Sequence, residues 1–294
     1  MILSIVICTW NRVALLEQTL RSLKASTFRA GDSVEVLVIN NASTDSTPEF
    51  LRDNASALGF RWLTEDRPGL SNARNRGAVE ASGEWVLYLD DDVLVEPHFV
   101  EGYIAVLSDP GPSVYFGGPV IPRFLGPERT WTSHVFEVLP WLYSGLDLGE
   151  PRRFFSGNQH PFGANMCIRA DLVQQFPFDE MYGYREGALT PGEESSLFSQ
   201  LTAQTFRGEW LPSLGVVHVL PAARNSLRFL VRRSFAQGVY EGMAAFEASR
   251  SRLWAVRALA LQFVRIPLAP LIGTHPIVEL LKASVFAGVL LSRR

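Results

Sequence analysis

The sequence predicts an α/β fold with a mainly parallel sheet flanked by helices, followed by a helical C-terminal appendage. Three observations predict it. Short apolar runs alternate with helix-period segments through the first half of the chain, the pattern of parallel strands with crossover helices. Polar, chemistry-bearing residues follow each apolar run, as expected where ligands gather at the carboxyl ends of parallel strands. From about Ser226 the composition changes and becomes both basic and apolar.

Taken in order, ILSIVIC (2–8) and VEVLVIN (34–40) are β-rich runs, FRWLTE (60–65) is a weaker one, and EWVLYLD (84–90) is strong. Between them lie LLEQTLRSLKAS, TPEFLRDNASALG and LSNARNRGAVEASG, which read as helices. In the first, Leu15, Leu16, Thr19, Leu20 and Leu23 recur at helical spacing. VYFGGPVIP (114–122) predicts a further strand, and residues 123–162, rich in Pro, Gly, Trp and Phe, an irregular insertion. FGANMCIRADLV (162–173) reads as strand into helix, a helix begins near Glu193, and WLPSLGVVHVL (210–220) predicts another strand. The division expected is 1–222 as the α/β domain, in halves 1–120 and 121–222, and 223–294 as a helical region.

A hydrophobic fraction of 47% against 19% charged residues excludes a disordered chain. The net charge of −3 conceals an asymmetry. Residues 1–220 hold 16 Lys and Arg against 27 Asp and Glu, whereas residues 221–294 hold 11 against 3. A basic and apolar segment points toward anionic surfaces, and an acidic cleft argues against nucleic acid as the partner. Pro267, Pro270, Glu279 and Lys282 interrupt its apolar runs, so neither offers the ~20 clean residues of a spanning helix. Interfacial helices on an anionic membrane are the expectation, with packing on the domain or on a second subunit as the alternative. Cys8 and Cys167 lie far apart in strand-like runs and read as reduced core thiols of a cytoplasmic protein. MILSIVICTWN has no charged leader region and reads as a buried first strand rather than a signal peptide.

LYLDDDVLV places Asp90, Asp91 and Asp92 at the end of a strand. Read alone, this is either a solvated turn or a seat for Mg²⁺ or Mn²⁺, which prefer oxygen ligands and leave room for substrate phosphates. His218 ends a separate apolar run; imidazole is an acceptable Mn²⁺ ligand, though a lone histidine after a strand is commonly structural. Arg74 and Arg76 sit early in a helix near the same edge, where a cation would meet an anionic donor or simply be solvated. Glu193 and Glu194 open a helix; two acids in a first turn suit the helix dipole, and one of them is also a candidate general base.

Taken together, SIVICTWNR, VLVINNASTDST, RPGLSNARNRG, LYLDDD, FGANMCIR and PGEESSL resemble, in order and spacing, the family 2 glycosyltransferases of GT-A fold. The resemblance covers about residues 1–220. It implies a GT-A type, Rossmann-like mixed sheet and an inverting, metal-dependent transfer from a nucleotide-sugar donor. By that resemblance Thr9, Trp10, Asn11, Arg12, Asn41 and Asp66 hold the nucleoside, with Arg74, Asp90 and Asp91 also on the donor. Asp92 and His218 become the metal ligands for Mg²⁺ or Mn²⁺, and Glu194, beside Glu193, takes the place of the catalytic base. Two departures are that Asn40 and Glu194 stand where aspartate is commoner.

The acceptor implied is a glycan or a lipid-linked sugar in cell-envelope polysaccharide or glycolipid synthesis, reached from the inner face of the membrane. Trp131, Trp141, Tyr143, Phe154 and Phe155 form a candidate acceptor wall, or ordinary core. Two other functions compete. A sugar-phosphate nucleotidyltransferase would show a Gly-rich phosphate loop, which CTWNRVALLEQ lacks. A non-catalytic nucleotide-sugar-binding scaffold on the membrane would not need the acids at 90–92 and 193–194. The C-terminal helices also allow an oligomer.

Overall fold

The computed structural model describes residues 2–26, 34–185, 188–247 and 252–292. The first stretch of elements is β1 (Leu3–Thr9), α1 (Val13–Ala25), β2 (Val34–Asn40), α2 (Thr47–Leu58), β3 (Arg61–Thr64), α3 (Leu70–Glu80), β4 (Trp85–Asp90), β5 (Val93–Val95) and α4 (Phe99–Ser108). Next come β6 (Ser113–Gly117), β7 (Val120–Leu125), α5 (Thr132–Val138), β8 (Arg153–Phe154), β9 (Met166–Arg169), α6 (Ala170–Gln175), β10 (Gly183–Arg185) and β11 (Ala188–Thr190). The chain ends with α7 (Glu193–Ala203), β12 (Arg207–Trp210), β13 (Val216–Pro221), α8 (Leu227–Glu247), α9 (Arg252–Leu268) and α10 (Pro276–Leu291).

Among the described residues, eight strands form the main sheet in the order β3-β2-β1-β4-β9-β6-β12-β8. The pairs β3–β2, β2–β1, β1–β4 and β6–β12 are parallel, and β9 runs antiparallel to both β4 and β6. The α/β expectation therefore holds, with β9 and β8 reversed within a mainly parallel sheet. Alternation along β1 explains why the sheet is covered on both faces. Leu3, Ile5 and Ile7 join a core with Leu16 and Leu20 of α1 and Phe99 and Tyr103 of α4. Val6 joins the opposite core, with Ala73 of α3, Leu172 of α6 and Leu197 of α7. Each helix supplies one apolar stripe; α1 buries Leu16, Thr19, Leu20 and Leu23. Pro48 starts α2 and Gly59, left-handed at φ 78°, stops it.

The predicted strand 114–122 is two strands, because Pro119 has no N–H to give and a Cβ on Gly118 would strike the backbone of Leu214. The predicted strand 210–220 is likewise β12 and β13, separated by a turn in which Leu214 N–H donates to Leu211 C=O at 3.1 Å. The stretch 123–162 is less irregular than its composition suggests, since it contains α5, a 3-10 turn at Pro140–Tyr143 and β8. Both cysteines are free thiols.

The chain divides into two compact units, Met1–Arg123, Leu146–Glu186 and Glu193–Val219 in one, Phe124–Gly145, Gly187–Gly192 and Leu220–Arg294 in the other. The second unit is helical. Val135, Leu142, Tyr143, Leu220, Leu230, Ile277, Val278 and Leu281 make its core, and Tyr143 donates its hydroxyl to Asn225 at 2.8 Å. Helices α8 and α10 cross closely because Gly238 and Gly288 have no side chains; a Cβ on either would collide with the other helix's backbone. Among the described residues no helix is long and apolar enough to cross a membrane.

Replacing Gly238 with Ala should force α8 and α10 apart and destabilise the second unit by about 1–3 kcal/mol. A lower first transition in calorimetry, with the sheet's far-ultraviolet signal retained, is the outcome expected.

Candidate functional site

The carboxyl ends of β1, β2 and β4 lie side by side, because parallel pairing sets Cys8 opposite Asp90 and Thr9 opposite Asn40. Three carboxylates at one strand end repel one another, and two arginines offset that repulsion. Nη1 of Arg12 donates to Oδ1 of Asp91 at 3.1 Å and to Oδ2 of Asp92 at 2.8 Å. Thr9 Oγ1 donates to the other oxygen of Asp91 at 2.7 Å. Burial pushes Asp91 up to about 6 even so, with Arg12 and the Thr9 hydroxyl pulling it down. Asp90 is also raised by burial, against the pull of Arg74.

Asp90 and Asp92 converge on one point while Asp91 bonds Thr9; β4 ends at Asp90, so the turn at 91–92 sets these directions. The antiparallel pairing of β13 with β5 puts His218 opposite Val93, next to Asp92. One atom each from Asp90, Asp92 and His218 lies within 4.8 Å of the others. Nε2 of His218 is 2.9 Å from Oδ1 of Asp92, both side chains being buried, yet neither ring nitrogen makes a hydrogen bond among the described residues. The convergence of these two groups with Asp90 on one point is the arrangement that a shared cation would use. Two carboxylates and an imidazole suit Mg²⁺ or Mn²⁺.

Arg74 does not reach into open space as its helix position suggested. It is buried at 3% exposure, 3.2 Å from Glu194, 3.5 Å from Glu193 and 3.6 Å from Asp90. Its backbone carbonyl accepts the Tyr88 hydroxyl at 3.1 Å, and its guanidinium lies 5.4 Å from the Phe178 ring centre. Arg76, two residues on and on the opposite face of the helix, pairs with Glu80 at 2.8 Å at the surface. The two glutamates respond differently to this cation. Burial and the neighbouring Glu194 push Glu193 up to about 8. Burial would raise Glu194 too, but Arg74, backbone N–H groups including that of Gly163, and His160 hold it below the ordinary carboxylate range. Gly163 N–H donates to Glu194 Oε1 at 3.2 Å. Two adjacent carboxylates whose environments drive them apart provide one ionised and one protonated group near neutral pH.

On the opposite side of the strand ends, Asn11 is left-handed at φ 53° and its Oδ1 accepts from the backbone of Thr44 at 2.7 Å. Asn41 holds the 65–69 turn, donating to the carbonyls of Glu65 and Arg67 at 3.0 and 2.8 Å and accepting from Gly69 at 2.8 Å. Asn40, where an acid was the commoner expectation, accepts from Ser43 N–H at 3.1 Å and shapes that turn. Trp10 is half-buried, and Asp66 is exposed while its neighbour Glu65 is the buried acid.

Sequence reasoning assigned no role to Gly163 or His160. A Cβ on Gly163 would collide with the Arg74 guanidinium, so the glycine in FGANMCIR permits the Arg74–Glu194 contact. His160, whose Nε2 is 3.0 Å from Ser195 Oγ, comes from a Pro- and Phe-rich stretch without periodicity that gave no signal. Of the aromatic residues proposed as an acceptor wall, Tyr143 is buried in the helical unit's core with Trp131 and Trp141 packed around it. Phe155 stacks on Tyr115 at 5.9 Å in the other unit, and Arg207 lies 3.7 Å over the half-buried Phe154.

A family model described as Glycosyl transferase family 2 matches residues 4–176. A validoxylamine A glucosyltransferase of Streptomyces hygroscopicus is 36% identical over 114 residues, 38% of this chain and 27% of that protein. The chain thus matches about a quarter of the length of that relative. A glucosyl-dolichyl phosphate glucuronosyltransferase of Haloferax volcanii is 25% identical over 245 residues, 80% of this chain and 74% of the other. Among solved structures, the mannosyltransferase PcManGT of Pyrobaculum calidifontis, in complex with GDP-Man and Mn²⁺, superposes with a TM-score of 0.60 at 17% identity, covering 98% of this chain and 71% of that one. Its fold is the same GT-A architecture.

Two outcomes follow from the Arg74 cluster. Gly163→Ala should displace the guanidinium and lower stability by roughly 1–3 kcal/mol, read as a shifted urea midpoint. Glu193 has a folded value of about 8 against an ordinary 4.5, so the native chain holds more protons than the unfolded chain between those pH values and stability falls as pH rises through that window. Glu193→Gln should remove this slope: its urea midpoint should exceed that of wild type at pH 8, with the difference shrinking toward pH 5.

Proposed function

The chain belongs to glycosyl transferase family 2, and on that premise we propose that it transfers a sugar, with inversion, from a nucleotide-sugar diphosphate to an acceptor hydroxyl in a metal-dependent reaction. The observation that carries this reading is Glu194, a carboxylate kept ionised 3.2 Å from Arg74 beside the Asp90, Asp92 and His218 group. An ionised carboxylate in a partly enclosed site is equipped to take a proton from an attacking hydroxyl.

In this mechanism the acceptor oxygen forms a bond to the anomeric carbon as the bond from that carbon to the diphosphate oxygen breaks. The hydroxyl proton passes to Glu194, and the nucleoside diphosphate leaves with the bonding electron pair. Asp90, Asp92 and His218 would hold Mg²⁺ or Mn²⁺, which when bound supplies positive charge against the departing diphosphate. Thr9, Trp10, Asn11, Arg12 and Asn41 border the nucleoside side, and Arg12 orients Asp91 and Asp92. Arg74 acts on the donor indirectly, by positioning Glu194 and Asp90. Direct displacement needs no enzyme nucleophile; Cys8, the nearest thiol, is pushed up to about 12 by burial and stays protonated.

We extend the reading to a lipid-linked or glycan acceptor of the cell envelope, met by a membrane-peripheral protein on the cytoplasmic side. Supporting it are the 11 basic against 3 acidic residues of 221–294 and the H. volcanii relative, named for glucosyl-dolichyl phosphate.

Glu194→Gln should lower kcat by about 10²–10⁴-fold with a small change in KM, measured as nucleoside diphosphate release. Asp92→Asn should behave as wild type does after chelation of divalent cations, with turnover no longer restored by added Mn²⁺.

A further inference from the structure

Helix α9 is apolar on two opposite sides. Ala255, Gln262 and Ala269, seven residues apart, mark the side it buries against its own unit. At 100° per residue the other side gathers Val256, Leu261, Phe263, Val264 and Leu268 into an arc of about 160°, with Leu271 following in the 3-10 turn. All six are exposed, Phe263 at 69% and Leu271 at 82%. Scattered apolar residues on a surface need no explanation, but a contiguous face of this kind marks a docking surface.

We propose that this face lies flat in the interface of an anionic phospholipid membrane, deepening the reading of a membrane-borne acceptor, on which it rests. Three features select this occupant. Residues 252–268 contain no acid, Arg257 is exposed within the apolar arc, and Arg265, outside the arc, is paired with Glu279 of α10 at 3.4 Å. Docking against a second copy through the same face would bring like charges together, whereas anionic headgroups would pair with them. On α8, Arg228 and Arg232 are exposed one turn apart and add to the same attraction.

The helix is also built for the interface rather than for crossing. Its 17 residues span about 26 Å at 1.5 Å each, short of the roughly 30 Å hydrocarbon core. Pro267 has no N–H for the carbonyl of Phe263, a backbone defect that headgroup water satisfies and hydrocarbon does not. An apolar face, a polar flank and a basic excess are what hold a helix in the plane of a bilayer surface.

The test is flotation of the full-length protein, without donor, on phosphatidylcholine vesicles with and without phosphatidylglycerol. Wild type should float with the anionic vesicles and be released in part by about 0.5 M salt. Phe263→Ser and Leu271→Ser should each reduce partition about tenfold, leaving nucleoside diphosphate release from soluble donor unchanged. Wild type remaining at the bottom with anionic vesicles at low salt overturns the proposal, as does equal flotation on pure phosphatidylcholine. A dimer in sedimentation that the serine variants dissolve, in a protein that does not float, assigns the face to a second copy instead. Because flotation needs no turnover, a protein that floats but never releases nucleoside diphosphate would sink the transfer reading and leave the docking intact.

Discussion

The burial of Arg74 is the constraint on which the catalytic half depends. A guanidinium removed from water is costly unless carboxylates surround it, and here Asp90, Glu193 and Glu194 do so from two separate parts of the chain. One cation therefore ties the helix after β3, the end of β4 and the first turn of α7 into a single electrostatic unit. It also decides which glutamate is ionised. Glu194, nearest to it and supported by Gly163 N–H, keeps its charge; Glu193, farther away and beside a like charge, takes up a proton. The same logic runs one strand over, where Arg12 spans Asp91 and Asp92 and makes their burial tolerable.

Much of the fold was legible because its signals are local and strong. The short, near-continuous apolar runs of β1, β2 and β4 and the 3.6-period stripe of α1 are strong local signals, and polar residues follow each of those strands. The errors fall where tertiary contact overrides composition. Gly118 and Pro119 break an apparently continuous strand because the backbone of Leu214 passes too close for a side chain. The insertion after β7 looked shapeless in sequence because α5 and its neighbours bury residues against distant helices, which leaves no local period.

The site was legible in its acids and less so in its cations. Carboxylates in a row at a strand end are visible without a structure. The partner of a buried arginine is not, because SNARNRG carries two arginines that look alike. Only packing separates Arg74, enclosed at 3% exposure, from Arg76, paired with Glu80 at the surface. Gly163 was invisible for a related reason: its contribution is the absence of a side chain at a point where two charged groups meet.

The pairing of β13 with β5 has a consequence for the order in which the protein is made. Asp90 and Asp92 belong to the first third of the chain, whereas His218 arrives only with a strand near the end of the α/β unit. At a synthesis rate of about ten residues per second, the two aspartates wait on the order of ten seconds for their third partner. During that interval the nascent chain holds an acidic turn with no imidazole to close it. A cation held by all three, as proposed, would therefore be captured only once the sheet around it is nearly complete, late in biogenesis.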